Sequence, residues 1–392
     1  MHYKTFLLFL LLFVKQSFAQ KNDVWVRYTD PKTNLYGYKD IRGNIKIHAK
    51  FGGVIPADSF YNIIAIHDSM MMGHYHWYYL LKNGKRVGLD SVPSFEMIPD
   101  CESEGKISFV DEKTDREGVF DKKGIVIIPA MYNYVGPFFN GVAVARMNAM
   151  RKLHFERRTW IGGKEVLINT KNEILIDSLD RSDIQDINWY SMRVNDFRVD
   201  TSIYVNFKGT HGDRYSFIDY KKEFKRWFEN EFRDCIYQGS GSKLEGLCLP
   251  ELYYTSDKYG DWVSKSSNIF LKKFPPSYFK RWFQKNLLKQ ISIDGSYYLD
   301  AESTHSRMLN KFNTTCGAYF KEKFPVFEVF IRCYKKRQLK ADSQRLTKSD
   351  DNLTADEFDK KYEYDHTEAY IEFIRTETGY KLLDVSPKSQ WP

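Results

Sequence analysis

Cysteine is scarce in this chain of 392 residues. Only five are present, an odd number at wide spacing, which excludes a small fold stapled by disulfides. No C-x-x-C pair occurs, so no thioredoxin-type redox centre or zinc ribbon is written locally. The G-x-S-x-G, H-E-x-x-H, P-loop and dinucleotide signatures are missing as well. No catalytic residue is therefore nominated and no cofactor is expected. Beyond residue 19 no apolar run approaches the ~20 residues that a membrane helix needs. An excess of one charge is also lacking. Discounting Lys4 and Lys15 of the N-terminal segment leaves 57 basic against 51 acidic side chains, a net of +6. That balance does not argue for a nucleic-acid partner.

The first 19 residues read as a secretory signal. Lys4 gives the basic start, Phe6 to Val14 the apolar core, and Ser17-Phe18-Ala19 the small residues before a cut at Gln20. No cysteine follows the cut, so no lipid anchor is expected. The mature chain is expected to be secreted or periplasmic, with no transmembrane segment.

Aromatic side chains are abundant, at 16% of the chain, which suits sheets packed through large rings. In the first half they recur with short turns. Gly37 precedes a turn at Gly43. Residues 77–81 precede a turn at Gly84. Gly118 precedes a turn at Gly124, and residues 166–168 precede one at Asn172. Each glycine supplies a turn shape that other residues resist. The steps are 41, 40 and 48 residues, a period that points to stacked or radial repeats. Second halves agree in part: Phe51, Pro56, Phe60, Ile64 and Ala65 echo Tyr132, Pro137, Phe139 and Val142-Ala143-Val144. The expected fold has two domains. An N-terminal all-β repeat module spans 20–180, a linker 181–188, and an α+β domain 189–392.

Gly118, Asp121, Gly124, Ile127-Ile128-Pro129, Tyr132, Phe138, Gly141, Ala143 and Val144 together resemble the WG-repeat family. Tyr36-Gly37, Asp40 and Gly43 match more loosely, and Tyr36 and Glu117 stand where the family has tryptophan. The resemblance covers about 34–178. It implies a β-rich module with a binding or scaffold role, and it brings no catalytic residue.

Other local signals are weaker. His74 and His76 share one face if residues 70–77 are extended, and with Met70 to Met72 nearby they are metal candidates short of a full ligand set. Cys235 and Cys248 flank a Gly-Ser stretch and are candidates for a bridge across it. Residues 239–268 read as a long loop whose Tyr253, Tyr254, Tyr259 and Trp262 either line a cleft or form an excursion. Residues 220–232 have helical spacing. So do Phe279, Trp282, Phe283, Leu287 and Ile291 after Pro275-Pro276, and Leu309 to Phe320. The pentapeptide Phe-Lys-Arg-Trp-Phe occurs twice, at 224–228 and 279–283. It suits core packing better than a membrane surface. Basic residues crowd 321–340 and acidic ones 350–372. Thr354 to Glu357 matches a capping box. A final hairpin over 368–385 faintly resembles the ends of nuclear-transport-factor-2-like domains, which implies a pocket beneath the sheet.

From these features the expected function is an exported binding or structural module. Its partner would be an unknown protein or a cell-envelope polymer. The alternatives are an envelope-glycan hydrolase with a cleft in the C-terminal half, and a small-ligand pocket in that half.

Overall fold

The computed structural model describes residues 23–52, 57, 59–68, 76–95, 98–154, 157–255, 262–283, 289–295, 324–334, 338–339, 362–363 and 366–387. The signal segment, His74, Tyr259, Cys316, the helix expected over 309–320 and the capping box at Thr354 lie outside them. Strand outweighs helix, at 52% against 15%, so the protein is mostly β. The described helices all fall between Tyr220 and Trp282.

Four three-stranded units follow one another. The first uses Trp25–Thr29, Tyr36–Asp40 and Ile45–Phe51, with Ser59–Phe60 at its edge. The second uses Ile63–Asp68, His76–Leu81 and Arg86–Val87. The third uses Lys106–Asp111, Arg116–Asp121 and Val126–Tyr132. The fourth uses Val142–Met147, Lys164–Asn169 and Ile174–Leu179, with Tyr134–Val135 at its edge. An extra hairpin, Met150–His154 with Arg157–Ile161, sits inside the fourth unit and accounts for its longer 48-residue step.

One turn closes each unit. The Asp40 N–H donates to Asn44 O and the Gly43 N–H to Asp40 O, both at 2.9 Å. The same pair of bonds recurs at Leu81/Gly84, Asp121/Gly124 and Asn169/Asn172. Gly43, Gly84, Gly124 and Asn172 all have positive φ, at 91°, 83°, 71° and 64°. Such a shape is tolerated by glycine and, next best, by asparagine. The Asp40, Asp121 and Asn169 side chains each accept two backbone N–H groups of their own turn, which explains the residue type at that place.

Gly37 and Gly118 have a different task. Each sits in a bulge where the pairing shifts register. A Cβ at Gly37 would lie 2.3 Å from Ile47 O, and one at Gly118 2.5 Å from Ile128 O.

The second, third and fourth sheets bury both faces, so the units need one another. Tyr36, Tyr38, Phe51 and Phe60 of the first pack on Ile64, Ile66, Tyr78 and Leu80 of the second. The other face of the second, with Ile63, Ala65 and Tyr79, meets Ile107, Phe109 and Phe120 of the third. Val119, Ile128 and Tyr132 of the third meet Val135, Ala143, Ala145, Val166 and Ile168 of the fourth. The far face of the fourth, with Val142, Leu167 and Ile176, is covered by Ile187, Trp189, Tyr215 and Phe217. Those residues belong to a fifth sheet of Ile187–Val194, Tyr204–Lys208 and Arg214–Asp219. Its turn repeats the same two bonds at Gly209/Gly212, 40 residues after Asn172. The expected linker at 181–188 and boundary at 189 are therefore corrected. The fourth sheet's greasy outer face requires a further layer, and the stack runs to Asp219.

Carboxylates tie the layers along one side. Residues 103–106 and 139–142 form matching tight turns, with positive φ at Glu104, Gly105, Asn140 and Gly141. Glu104 accepts the N–H groups of Asn140 at 2.6 Å and Gly141 at 2.8 Å. Glu102 reaches the other way, to the N–H groups of Asn62 at 2.8 Å and Ile63 at 2.9 Å. Asn140 Nδ2 continues the line to Trp189 O at 3.1 Å.

At Tyr220 the period changes. Helix α1 (Tyr220–Trp227) is capped by Asp219 and runs through a π-helical turn, Phe228–Arg233, into α2 (Asp234–Gln238). Helices α3 (Gly241–Gly246), α4 (Ser267–Lys273) and α5 (Pro276–Trp282) follow. They cover one face of a six-stranded sheet in the order Trp262–Ser266, Cys248–Thr255, Gly379–Pro387, His366–Thr376, Val326–Tyr334, Lys289–Gly295. Both copies of the pentapeptide spend their rings in this core: Phe224, Phe228, Phe279, Trp282 and Phe283 are buried. The helix expected to include Ile291 stops at Trp282, and Ile291 lies in a strand opposite Ile331.

The expected long loop over 239–268 is also corrected. Its described residues form helix α3, two paired strands and the start of α4. Cys235 and Cys248 are buried free thiols rather than a bridge. Both are built into the helix-covered core, and burial pushes the Cys248 thiol up to about 12. The disulfide chemistry falls instead on Cys101.

Candidate functional site

The stack places one column of side chains four residues before each turn's first residue. Tyr36 fills it in the first unit and packs edge-on to Tyr38, with ring centroids 6.1 Å apart. Trp77 fills it in the second and packs into the core shared with the third. Glu117 and Glu165 occupy it in the third and fourth. A carboxylate cannot fill apolar space as a ring does, and it must find donors. The two carboxylates solve this differently.

Glu165 lies across the strand pair from Arg146. Its Oε1 takes Arg146 Nη2 at 2.8 Å and Arg181 Nη2 at 3.0 Å. The Glu165 side chain is 9% exposed, whereas Arg181 is 74% exposed. Beside this trio opens a groove of about 590 Å³ between the fourth sheet and residues 181–189. Tyr134, Phe139, Val142, Val144 and Trp189 form its walls, and Glu165 and Arg181 its polar end. The volume falls in the range usual for small-ligand sites.

Glu117 Oε2 accepts the Val135 N–H at 2.8 Å. Burial pushes this carboxyl up to about 8, against that hydrogen bond, and nearby Asp100 and Asp115 push the same way. Asp100 Oδ2 accepts Ser108 Oγ at 2.7 Å, and loss of water raises its carboxyl too. The Tyr134 hydroxyl feels both carboxylate sites. The residue as a whole is 40% exposed, but loss of water around its hydroxyl raises that group, Asp100 and Glu117 add to the rise, and Arg181 opposes it.

The other nominated residues do not converge. Tyr253 is buried, and Tyr254 packs edge-on against Phe270 and Phe274 on the opposite sheet face. Adjacent strand residues point to opposite sides, so the two tyrosines cannot line one cleft. Trp262 pairs with Thr255 on the neighbouring strand. His76 is turned onto Asp90, with Nδ1 2.9 and 3.0 Å from the two carboxylate oxygens. Among the described residues no cluster of His, Cys, Asp or Glu suits a metal.

Glu165, Arg181 and Trp189 were missed at the sequence level. The usable signal was Glu165 standing in the aromatic column, as Glu117 does. On the far sheet of the C-terminal half the register aligns Asp294, Glu328, Glu372 and Asp384 across four adjacent strands. Glu328, Glu372 and Asp384 all have partners. The basic and acidic stretches meet at least once, where Arg332 Nε donates to Glu368 at 3.0 Å.

No family model matches the chain, and no curated protein matches it. Among solved structures, a chain named Rd1NTF2_05, carrying five substitutions, matches 43% of this chain and 98% of its own length, at 9% identity and a TM-score of 0.22. A domain of unknown function with a cystatin-like fold from Nostoc punctiforme PCC 73102 matches 43% of this chain and 76% of its own length, at 10% identity and a TM-score of 0.20. Scores this low carry no argument about fold or function. Among the described residues no helix is long and apolar enough to cross a membrane.

Proposed function

We propose that this protein is an exported binding or structural module that works through its stacked β units. The carrying observation is the groove at the fourth interface, where Glu165 replaces the ring that Tyr36 and Trp77 supply in earlier layers. Export rests on the N-terminal sequence, and the repeat reading rests on its resemblance to WG repeats. The groove combines aromatic walls, one exposed guanidinium and a scaffold braced by carboxylate bonds. Rigid placement of a few polar groups over an apolar wall is what recognition needs.

A second reading, an envelope-polymer hydrolase, draws on one feature. Glu117 holds a proton near neutral pH while Glu165 is clamped by two guanidiniums. Unequal carboxyls are how acid and base roles are divided in such enzymes. Binding ranks first because the Glu165 oxygen that both arginines engage is already occupied.

The test is retention of cell-envelope material on the immobilised mature chain, compared with Gln185→Trp, which fills the groove from its exposed rim. Retention by the wild type and loss in the variant, with equal melting temperatures, supports the binding role. Polymer turnover that disappears in Glu117→Gln would reverse the ranking.

A further inference from the structure

We infer that the groove takes a flat aromatic ring carrying a carboxylate. The ring would lie where the repeat places its own aromatic side chain in earlier layers, and the carboxylate would lie against Arg181. This deepens the binding role proposed above and rests on it.

Three observations carry the inference. The first is positional. Tyr36, Trp77 and Glu165 occupy the same column of the repeat, and the first two put rings into the interlayer core. Glu165 leaves that space open as part of a cavity of about 590 Å³. The second is the wall. Tyr134, Phe139 and Trp189 line the space, with Val142 and Val144 beneath, so a ring would meet ring edges and methyl groups. The third is charge. Arg146 and Arg181 both engage the same oxygen of Glu165, so the trio carries two cations and one anion. A guanidinium has five N–H donors in a planar fork, and Arg181 keeps most of its surface at the mouth. A planar carboxylate is the anion that fork fits best.

Asp100, Glu117 and Glu165 are the acidic groups around Tyr134 that would oppose an incoming anion. Glu165 is already matched by two arginines. Glu117 keeps its proton at neutral pH. The remaining field at the mouth is set by Arg181.

A free aryl carboxylate and the C-terminal aromatic residue of a peptide share this chemistry. The test uses the full mature chain and calorimetric titration with two matched pairs. One pair is 1-naphthylacetate and 1-naphthylacetamide. The other is the peptide Gly-Gly-Gly-Trp with a free and with an amidated C-terminus. The acid of at least one pair is expected to bind at least about tenfold more tightly than its amide, a step of one decade in Kd. Arg181→Gln should erase that preference while leaving the amide's affinity in place. Gln185→Trp should weaken both. Tighter binding of the naphthyl acid assigns a small-molecule source, and tighter binding of the free peptide a chain end. Equal binding of acid and amide, an unaltered preference in Arg181→Gln, or no binding by any probe overturns the inference. Envelope retention that survives such a result leaves the binding role standing and removes only the ligand class.

Discussion

Replacing Glu117 by glutamine should make the protein more stable in alkali and leave it nearly unchanged in acid. The folded chain keeps a proton on Glu117 up to about 8, whereas the exposed carboxyl gives it up near 4.5. Between those two values the folded state binds more protons than the unfolded state, so stability falls as pH rises. Each pH unit in that window costs about 1.4 kcal/mol, and the whole window sums to roughly 5 kcal/mol as an upper bound. Below the window both states are protonated and the penalty vanishes. Above it the penalty is complete, because a charged carboxylate must sit in a space built for a ring. Glutamine keeps an oxygen for the Val135 N–H and cannot ionise. Urea-denaturation midpoints at pH 5, 7 and 9 should converge for the two proteins at pH 5 and separate progressively to pH 9. Asp100, whose carboxyl is also raised, is present in both proteins, so its contribution cancels in the comparison. Parallel curves, or a gap that closes toward alkali, would refute the reasoning.

Other substitutions separate the causes of the repeat's glycines. Gly118→Ala should cost about 3 kcal/mol, since its Cβ would meet Ile128 O at 2.5 Å and Phe109 Cζ at 2.7 Å. Gly43→Ala, with a φ of 91° and open space around it, should cost only about 1–2 kcal/mol. Thermal melting of the two variants ranks them. Glu104→Ala should lower stability by roughly 1–2 kcal/mol through loss of two charge-assisted bonds, and hydrogen exchange should quicken at the Asn140 and Gly141 amides. Glu223 accepts from Arg375 Nε and from the Tyr380 hydroxyl, both at 2.9 Å, and so joins α1 to the last hairpin. Glu223→Ala should cost about 2–3 kcal/mol in chemical denaturation and loosen residues 375–380 first.

Local chemistry made the turns legible in the sequence. An Asp or Asn that can bond its own turn, followed three residues later by Gly or Asn, appears at Asp40, Asp121 and Asn169. The final hairpin was legible for a similar reason. Gly379 has a φ of 105°, Ile371 pairs with Val385, and Phe373 pairs with Leu382. The fifth sheet was less legible, because Gly209 replaces the turn acid and the strand order is rearranged, although Gly212 keeps the spacing. Residues 248–255 read as irregular because Pro250 and two adjacent tyrosines interrupt alternation. Tertiary pairing with residues 379–387 makes them a strand. Ile291 kept helical spacing yet joined a sheet, for the same reason. The groove was the least legible feature. It is formed by Glu165, Arg181 and Trp189, which meet only when the fourth and fifth sheets stack.

The stacking itself can be measured through Ile168, a fully buried side chain of the fourth sheet that shares a core with Val119 and Ile128 of the third. Hydrogen exchange, followed by mass spectrometry, should be compared for the wild type and Ile168→Ala. If the sheets share their cores, protection should fall by similar factors in residues 106–132 and 164–179, because the cavity opens into both. Loss confined to 164–179, with 106–132 unchanged, would contradict the stacked arrangement.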